Sequence, residues 1–156
     1  IDLRLTFYSP DDLAKIVMRS ANILGTPIDS DAALMLARSA RGTPRIANRL
    51  LKRARDFAGA LSRDAISADT VKTTLFQLHI DGCGLDEIDR EYMSTIVKHY
   101  AGGPVGIENL AAALSEPSDT IEDVIEPYLM QLGFVQRTPR GRVITDAGYA
   151  HLGLEK

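Results

Sequence analysis

The stretch FVQRTPRGRVITDAGY (Phe134 to Tyr149) decides how the second half of the chain is read. Phe134 to Arg137 and Arg142 to Thr145 alternate like two half-buried strands. Thr138-Pro139-Arg140-Gly141 between them has turn chemistry, with proline at the second position and glycine where φ must be positive. Asp146 then opens a short final helix. Upstream, Ser118 is expected to cap a helix through DTIEDVIEPYLMQLG that Gly133 ends. Pro127 lies inside that helix and should kink it or tighten its last turns. A shorter helix precedes it, carrying Ile107, Leu110, Ala111 and Leu114. Before AGGPVG a longer one covers about Leu85 to Tyr100, with Ile88, Met93, Ile96, Val97 and Tyr100 inward. Three helices and then a β-hairpin is the order of a winged helix, a helix-turn-helix variant.

The first half has a different pattern. Ser9-Pro10-Asp11-Asp12 reads as an N-cap, a proline in the first turn and acids beside it. Leu13, Ile16, Val17, Ser20, Ala21 and Leu24 form the inward stripe, and Gly25 closes the helix. Asp29 or Ser30 caps a second helix through Leu34, Ala37 and Ala40, which Gly42 stops. A third starts at Thr43-Pro44 and buries Ile46, Ala47, Leu50, Leu51, Ala54, Phe57 and Ala58. Ser67 caps a fourth, with Val71, Leu75 and Leu78. The expected architecture is mostly α: a four-helix unit over residues 1–79, a linker over 80–86 inside the glycine-rich HIDGCGLDE, and a winged-helix unit over 87–156.

Composition narrows the function. The chain has 156 residues, 45% hydrophobic and 25% charged, which is globular. Its apolar runs fall far short of a membrane span, and no charged-then-apolar leader is present. Together with a single cysteine, Cys83, this sets the expectation of a cytoplasmic protein without membrane contact. His79, His99 and His151 are scattered and make no metal-ligand spacing, so no metal site is expected. Charge is divided. Residues 1–80 carry 12 Lys/Arg against 8 Asp/Glu, and residues 81–156 carry 6 against 13, which suggests two units with different partners.

Two constellations stand out. Arg137, Arg140 and Arg142 crowd the hairpin of an otherwise acidic unit, with no acid between Tyr128 and Thr145. Arginine forks match phosphates and narrow grooves, so the wing is expected to contact DNA rather than serve as a merely solvated loop. The preceding helix, at the recognition position, holds Asp119, Glu122, Asp123 and Glu126, which repel phosphates. The wing should therefore grip backbone or shape, not base sequence. The second is Arg45, in the first turn of the third helix, where a cation is mildly unfavourable, by about 0.3–1 kcal/mol. It either pairs with a nearby acid or completes an anion site with the free N–H groups of that turn. Phe7-Tyr8 either staple the first helix or lie on a purine ring, and the residues alone favour the staple. No phosphate-cradling G-x-x-x-x-G-K-[ST] occurs, so this polypeptide by itself should not hydrolyse nucleotide.

The strings FYSPDDLAKIV, ARGTPRIANRLLKRARDFA, GGPVGIENLAAAL and TIEDVIEPYLMQLGFVQRTPRGR, in this order and over nearly the whole chain, resemble the RuvB family of bacterial Holliday junction branch-migration motors. The resemblance covers only the back half of such a protein: the helical lid of an AAA+ module and the C-terminal winged helix. It implies that an ATPase domain with Walker motifs precedes Ile1. It further implies that Arg45 is the lid's sensor-2 arginine and contacts nucleotide phosphate, that Tyr8 lies near the nucleotide, and that Arg137 and Arg142 contact DNA. Ser118 stands where many relatives carry an arginine implicated in DNA contact, which puts that point in doubt.

The same resemblance implies an ATP-dependent helicase or translocase in the full-length protein, with ATP and Mg2+ held mainly by the large domain. Its partners would be duplex DNA or a Holliday junction, RuvA through the large domain, RuvC in the resolvasome, and five further copies in a hexamer. Two rivals remain: an AAA+ origin-binding initiator that reads base sequence, and a stand-alone winged-helix transcription regulator that binds a palindrome as a dimer.

Overall fold

The computed structural model describes residues 8–155. It is mostly helical with one two-stranded antiparallel hairpin, and it divides between Asp86 and Glu87 into two compact units.

The first unit is built on four helices: α1 (Pro10–Ile23), α2 (Ser30–Arg38), α3 (Pro44–Ala60) and α4 (Ala68–Gln77). Ser9 caps α1, its Oγ accepting from the Asp12 N–H at 3.2 Å. Ser67 caps α4 in the same way, accepting from the Thr70 N–H at 3.3 Å. The α1 stripe buries Leu13, Val17 and Ala21. On α2 the buried face is Ala32, Ala33, Leu36 and Ala37, with Leu34 only half-buried. Helices α2 and α3 meet the core largely through alanine, which lets helix axes approach closely and leaves Leu50 and Leu51 to fill the space between. Outside the helices, Asp29 N–H donates to Ile66 O and Ile66 N–H to Pro27 O, at 3.1 and 2.9 Å. These bonds tie the turn before α2 to the turn before α4. Residues 80–86 are held in this unit. The Asp81 carboxylate accepts from the N–H groups of Cys83 and Leu85, and Ser39 Oγ donates to Asp81 O.

The second unit follows the winged-helix order. It runs α5 (Glu87–Tyr100), α6 (Ile107–Leu114), α7 (Ser118–Thr120), a π-helical turn (Ile121–Ile125), α8 (Glu126–Gln131), β1 (Val135–Thr138), β2 (Gly141–Ile144) and α9 (Asp146–His151). The hairpin pairs Val135 with Ile144, Arg137 with Arg142 and Thr138 with Gly141, leaving Pro139 and Arg140 as its tip. Gly141 takes the expected positive φ, +134°. Val105 exchanges both backbone hydrogen bonds with Arg142, at 2.8 and 3.1 Å, so AGGPVG ends as a stub of a third strand rather than a plain break.

Three expectations are corrected here. Ser118 is the first residue of α7, and the N-cap is Pro117, which offers no side-chain bond. Pro127 does not tighten the helix but widens the turn before it. Its ring excludes the carbonyl four residues back and it has no N–H, so the chain takes a wider turn, with the Glu126 N–H donating to Ile121 O. Finally, α5 buries Tyr92 with Met93 and Ile96, while Ile88, Val97 and Tyr100, expected inward, are only half-buried.

Candidate functional site

The lid-type unit brings Arg45 and Tyr8 to one end of α3. The Tyr8 N–H donates to Gly42 O at 3.0 Å, which pins the chain entering α1 against the turn that opens α3. Tyr8 is 50% exposed, so its ring is not swallowed by the core as a helix staple would be. Phe7, the other half of that aromatic pair, lies outside the described residues. Arg45 is exposed, and among the described residues no carboxylate pairs with it. Thr43, at the N-cap, does not cap: its Oγ1 donates to Arg41 O at 3.2 Å, and no acid lies in the first turn. This helix end therefore has first-turn N–H groups without a capping side chain, an exposed arginine and no acid in that turn. Such an arrangement fits an anion.

The wing is organised by Glu126. This residue is fully buried, although the sequence places it among four acids on a face expected to repel DNA. The π-helical turn carries Glu122 and Glu126 toward the hairpin. Arg142 Nε donates to Glu126 Oε2 at 2.8 Å, Arg142 Nη2 to Glu126 Oε1 at 3.3 Å, and Arg142 Nη2 to Glu122 Oε1 at 3.4 Å. The buried Tyr92 hydroxyl donates to Glu126 Oε2. Arg137, facing Arg142 across the hairpin, gives Nη2 to Glu126 Oε1 at 3.1 Å. Burial, and then the bond to Glu126, pushes the Tyr92 phenol well above its ordinary pKa, so it stays a donor. The bond to Glu126 holds the Arg142 guanidinium above its ordinary value, against the burial that acts the other way.

The three wing arginines thus sit differently. Arg140 is exposed at the tip, and the Arg137 side chain is 52% exposed. Arg142 is 8% exposed with its donors turned inward, and does not share the open surface that the sequence suggested for it and Arg137. Ser118 is half-buried at the start of α7. Sequence reading missed Tyr92, and took Glu126 for a surface acid. The signal available was Glu126 standing one residue before Pro127, where the helix cannot keep its regular pitch.

A small helical unit with an anion-ready helix end, joined to a winged helix, defines an AAA lid followed by a winged-helix domain. Residues 8–81 match the RuvB AAA lid domain and residues 82–153 the RuvB C-terminal winged helix domain. The chain belongs to the RuvB family. It is 47% identical to a point variant of Thermotoga maritima RuvB, with a TM-score of 0.95 over 99% of this chain and 51% of that one. The structure described as the Thermotoga maritima RuvB Holliday junction branch migration motor is also 47% identical, with a TM-score of 0.94 over 97% of this chain and 51% of that one. The chain spans about half the length of these relatives. Among the described residues, no helix is long and apolar enough to cross a membrane.

Proposed function

We propose that this chain is the lid and DNA-gripping half of an ATP-driven motor for Holliday junction branch migration, acting in recombination and DNA repair. The reading is carried by its 47% identity, over 97% of its length, to a RuvB described as such a motor. ATP with Mg2+, held mainly by the half these residues do not include, supplies the free energy for movement. Arg45 reaches the nucleotide phosphates from the start of α3, and Tyr8 borders the same site. The lid follows the state of the nucleotide through Arg45, and the wing moves DNA backbone with it. Arg137 and Arg140 make the phosphate contacts, while Arg142 holds the hairpin from beneath. The intact motor is a hexamer that meets RuvA through its other half and RuvC at the junction, in the cytoplasm. Helicase action belongs to that intact motor and not to this chain alone. The initiator and regulator readings are not favoured, because neither accounts for a match to both RuvB domains.

The test is Arg45→Ala in the protein that joins this chain to its ATPase domain. Loss of a charged hydrogen bond worth about 1.5–3 kcal/mol lowers ATP turnover roughly tenfold or more, with ring assembly retained. Unchanged turnover refutes the sensor role. For the wing, Arg137→Ala with Arg140→Ala weakens duplex binding and reduces the salt slope by about one unit per lost phosphate contact.

A further inference from the structure

Glu126 is an acid buried against the hairpin that the reading above gives to DNA. Its two oxygens serve three side chains. Oε2 accepts from Tyr92 and Arg142, and Oε1 accepts from Arg142 and from Arg137 Nη2. Arg137 differs from Arg142 in kind. Among the described residues its side chain hydrogen-bonds only to Glu126, through one terminal nitrogen, and about half of it is exposed. A free arginine carries about 2 kcal/mol of rotamer entropy that it loses on gripping a phosphate. Anchoring one nitrogen on a buried carboxylate removes much of that freedom beforehand, and among the described residues the rest of this half-exposed fork makes no further hydrogen bond. Tyr92 and Arg142 keep the carboxylate itself from turning.

We propose that Glu126 is the positioning residue of the wing, its buried carboxylate holding Arg137 by one nitrogen so that the other donors meet a DNA phosphate. This rests on the reading above that the wing contacts DNA. It opposes simple charge counting, by which an acid beside the contact arginine repels DNA and its removal tightens binding.

The experiment is a double-mutant cycle on duplex DNA binding by the 156-residue chain at low salt, with circular dichroism and thermal melts on every variant. Glu126→Gln keeps the shape and deletes the charge. The expected result is binding weaker by about two- to tenfold, the range for one side chain no longer pre-ordered, and no further effect of Glu126→Gln once Arg137 is Ala. Binding that tightens or stays the same on Glu126→Gln overturns the proposal. So does equal weakening in both backgrounds, which marks a general structural effect. If Arg137→Ala alone leaves binding unchanged, the wing-contact reading falls as well. Should Glu126→Gln melt below the assay temperature, Tyr92→Phe frees the carboxylate without burying an unpaired charge. It is expected to weaken binding about twofold, again only while Arg137 is present, and equal binding by Tyr92→Phe overturns the proposal.

Discussion

Arg142 Nε lies 2.8 Å from Glu126 Oε2, and both side chains are buried beneath the hairpin. Removing Arg142 leaves the buried carboxylate with only the half-exposed Arg137 and the Tyr92 hydroxyl, and breaking such a buried pair costs up to about 3–5 kcal/mol. Arg142→Ala should therefore destabilise the winged-helix unit by that amount in urea or thermal melts. Arg137→Ala, from a half-exposed position, should cost less than about 1 kcal/mol. If the two variants melt alike, the assignment of Arg142 to the scaffold is wrong.

Gly141 and Val105 set how closely the third-strand stub approaches the hairpin. A Cβ on Gly141 would stand 2.4 Å from Val105 O, and the residue holds φ at +134°. Gly141→Ala must push the strands apart or strain the backbone, at about 1–3 kcal/mol. In a unit of this size that lowers Tm by at least about 4 °C. Gly106, with open space around its Cβ position, is the control: Gly106→Ala should shift Tm far less. Equal shifts would remove the argument for a tight strand approach.

Much of the fold was legible because its signals are local. Ser9 and Ser67 cap as their spacing promises, the TPRG turn places glycine at positive φ, and the Leu13–Val17–Ala21 stripe faces inward. Of the candidate site, placement was legible for the exposed residues: Arg45 at a helix start and Arg140 at a hairpin tip. What escaped depends on pairing across sequence. Tyr92 and Glu126 lie 34 residues apart, and nothing near either one shows that they meet. Arg142 reads as a surface cation because strand alternation says which face it takes, not whether an acid waits beneath that face. Glu126 turns inward at the end of a π-helical turn, a backbone feature for which Pro127 is the one local hint.

Cys83 gives a check on the segment after α4. Burial, and then the nearby Asp81 carboxylate, raises its thiol above the ordinary value of 9.0. Because the thiolate is the reactive form, its alkylation by iodoacetamide at neutral pH should be slower than that of a free peptide thiol. Its pH midpoint should lie above that ordinary value, and Asp81→Asn should lower it partway. A midpoint at or below the free-thiol value would mean that this segment does not hold its place in the first unit.

Arg45 separates stability from function most cleanly. Its side chain is exposed, among the described residues no carboxylate pairs with it, and it sits at the end of α3 where a cation opposes the helix dipole. Removing it should not weaken the fold. Arg45→Ala should leave the melting of the four-helix unit unchanged, or raise its stability by up to about 0.3–1 kcal/mol. The same substitution should reduce ATP turnover in the intact motor. A loss of more than about 1 kcal/mol of stability would instead make Arg45 a structural residue, and no bound anion would then be needed to explain its position. A stable lid that no longer supports turnover is the pattern expected of an arginine kept for a phosphate.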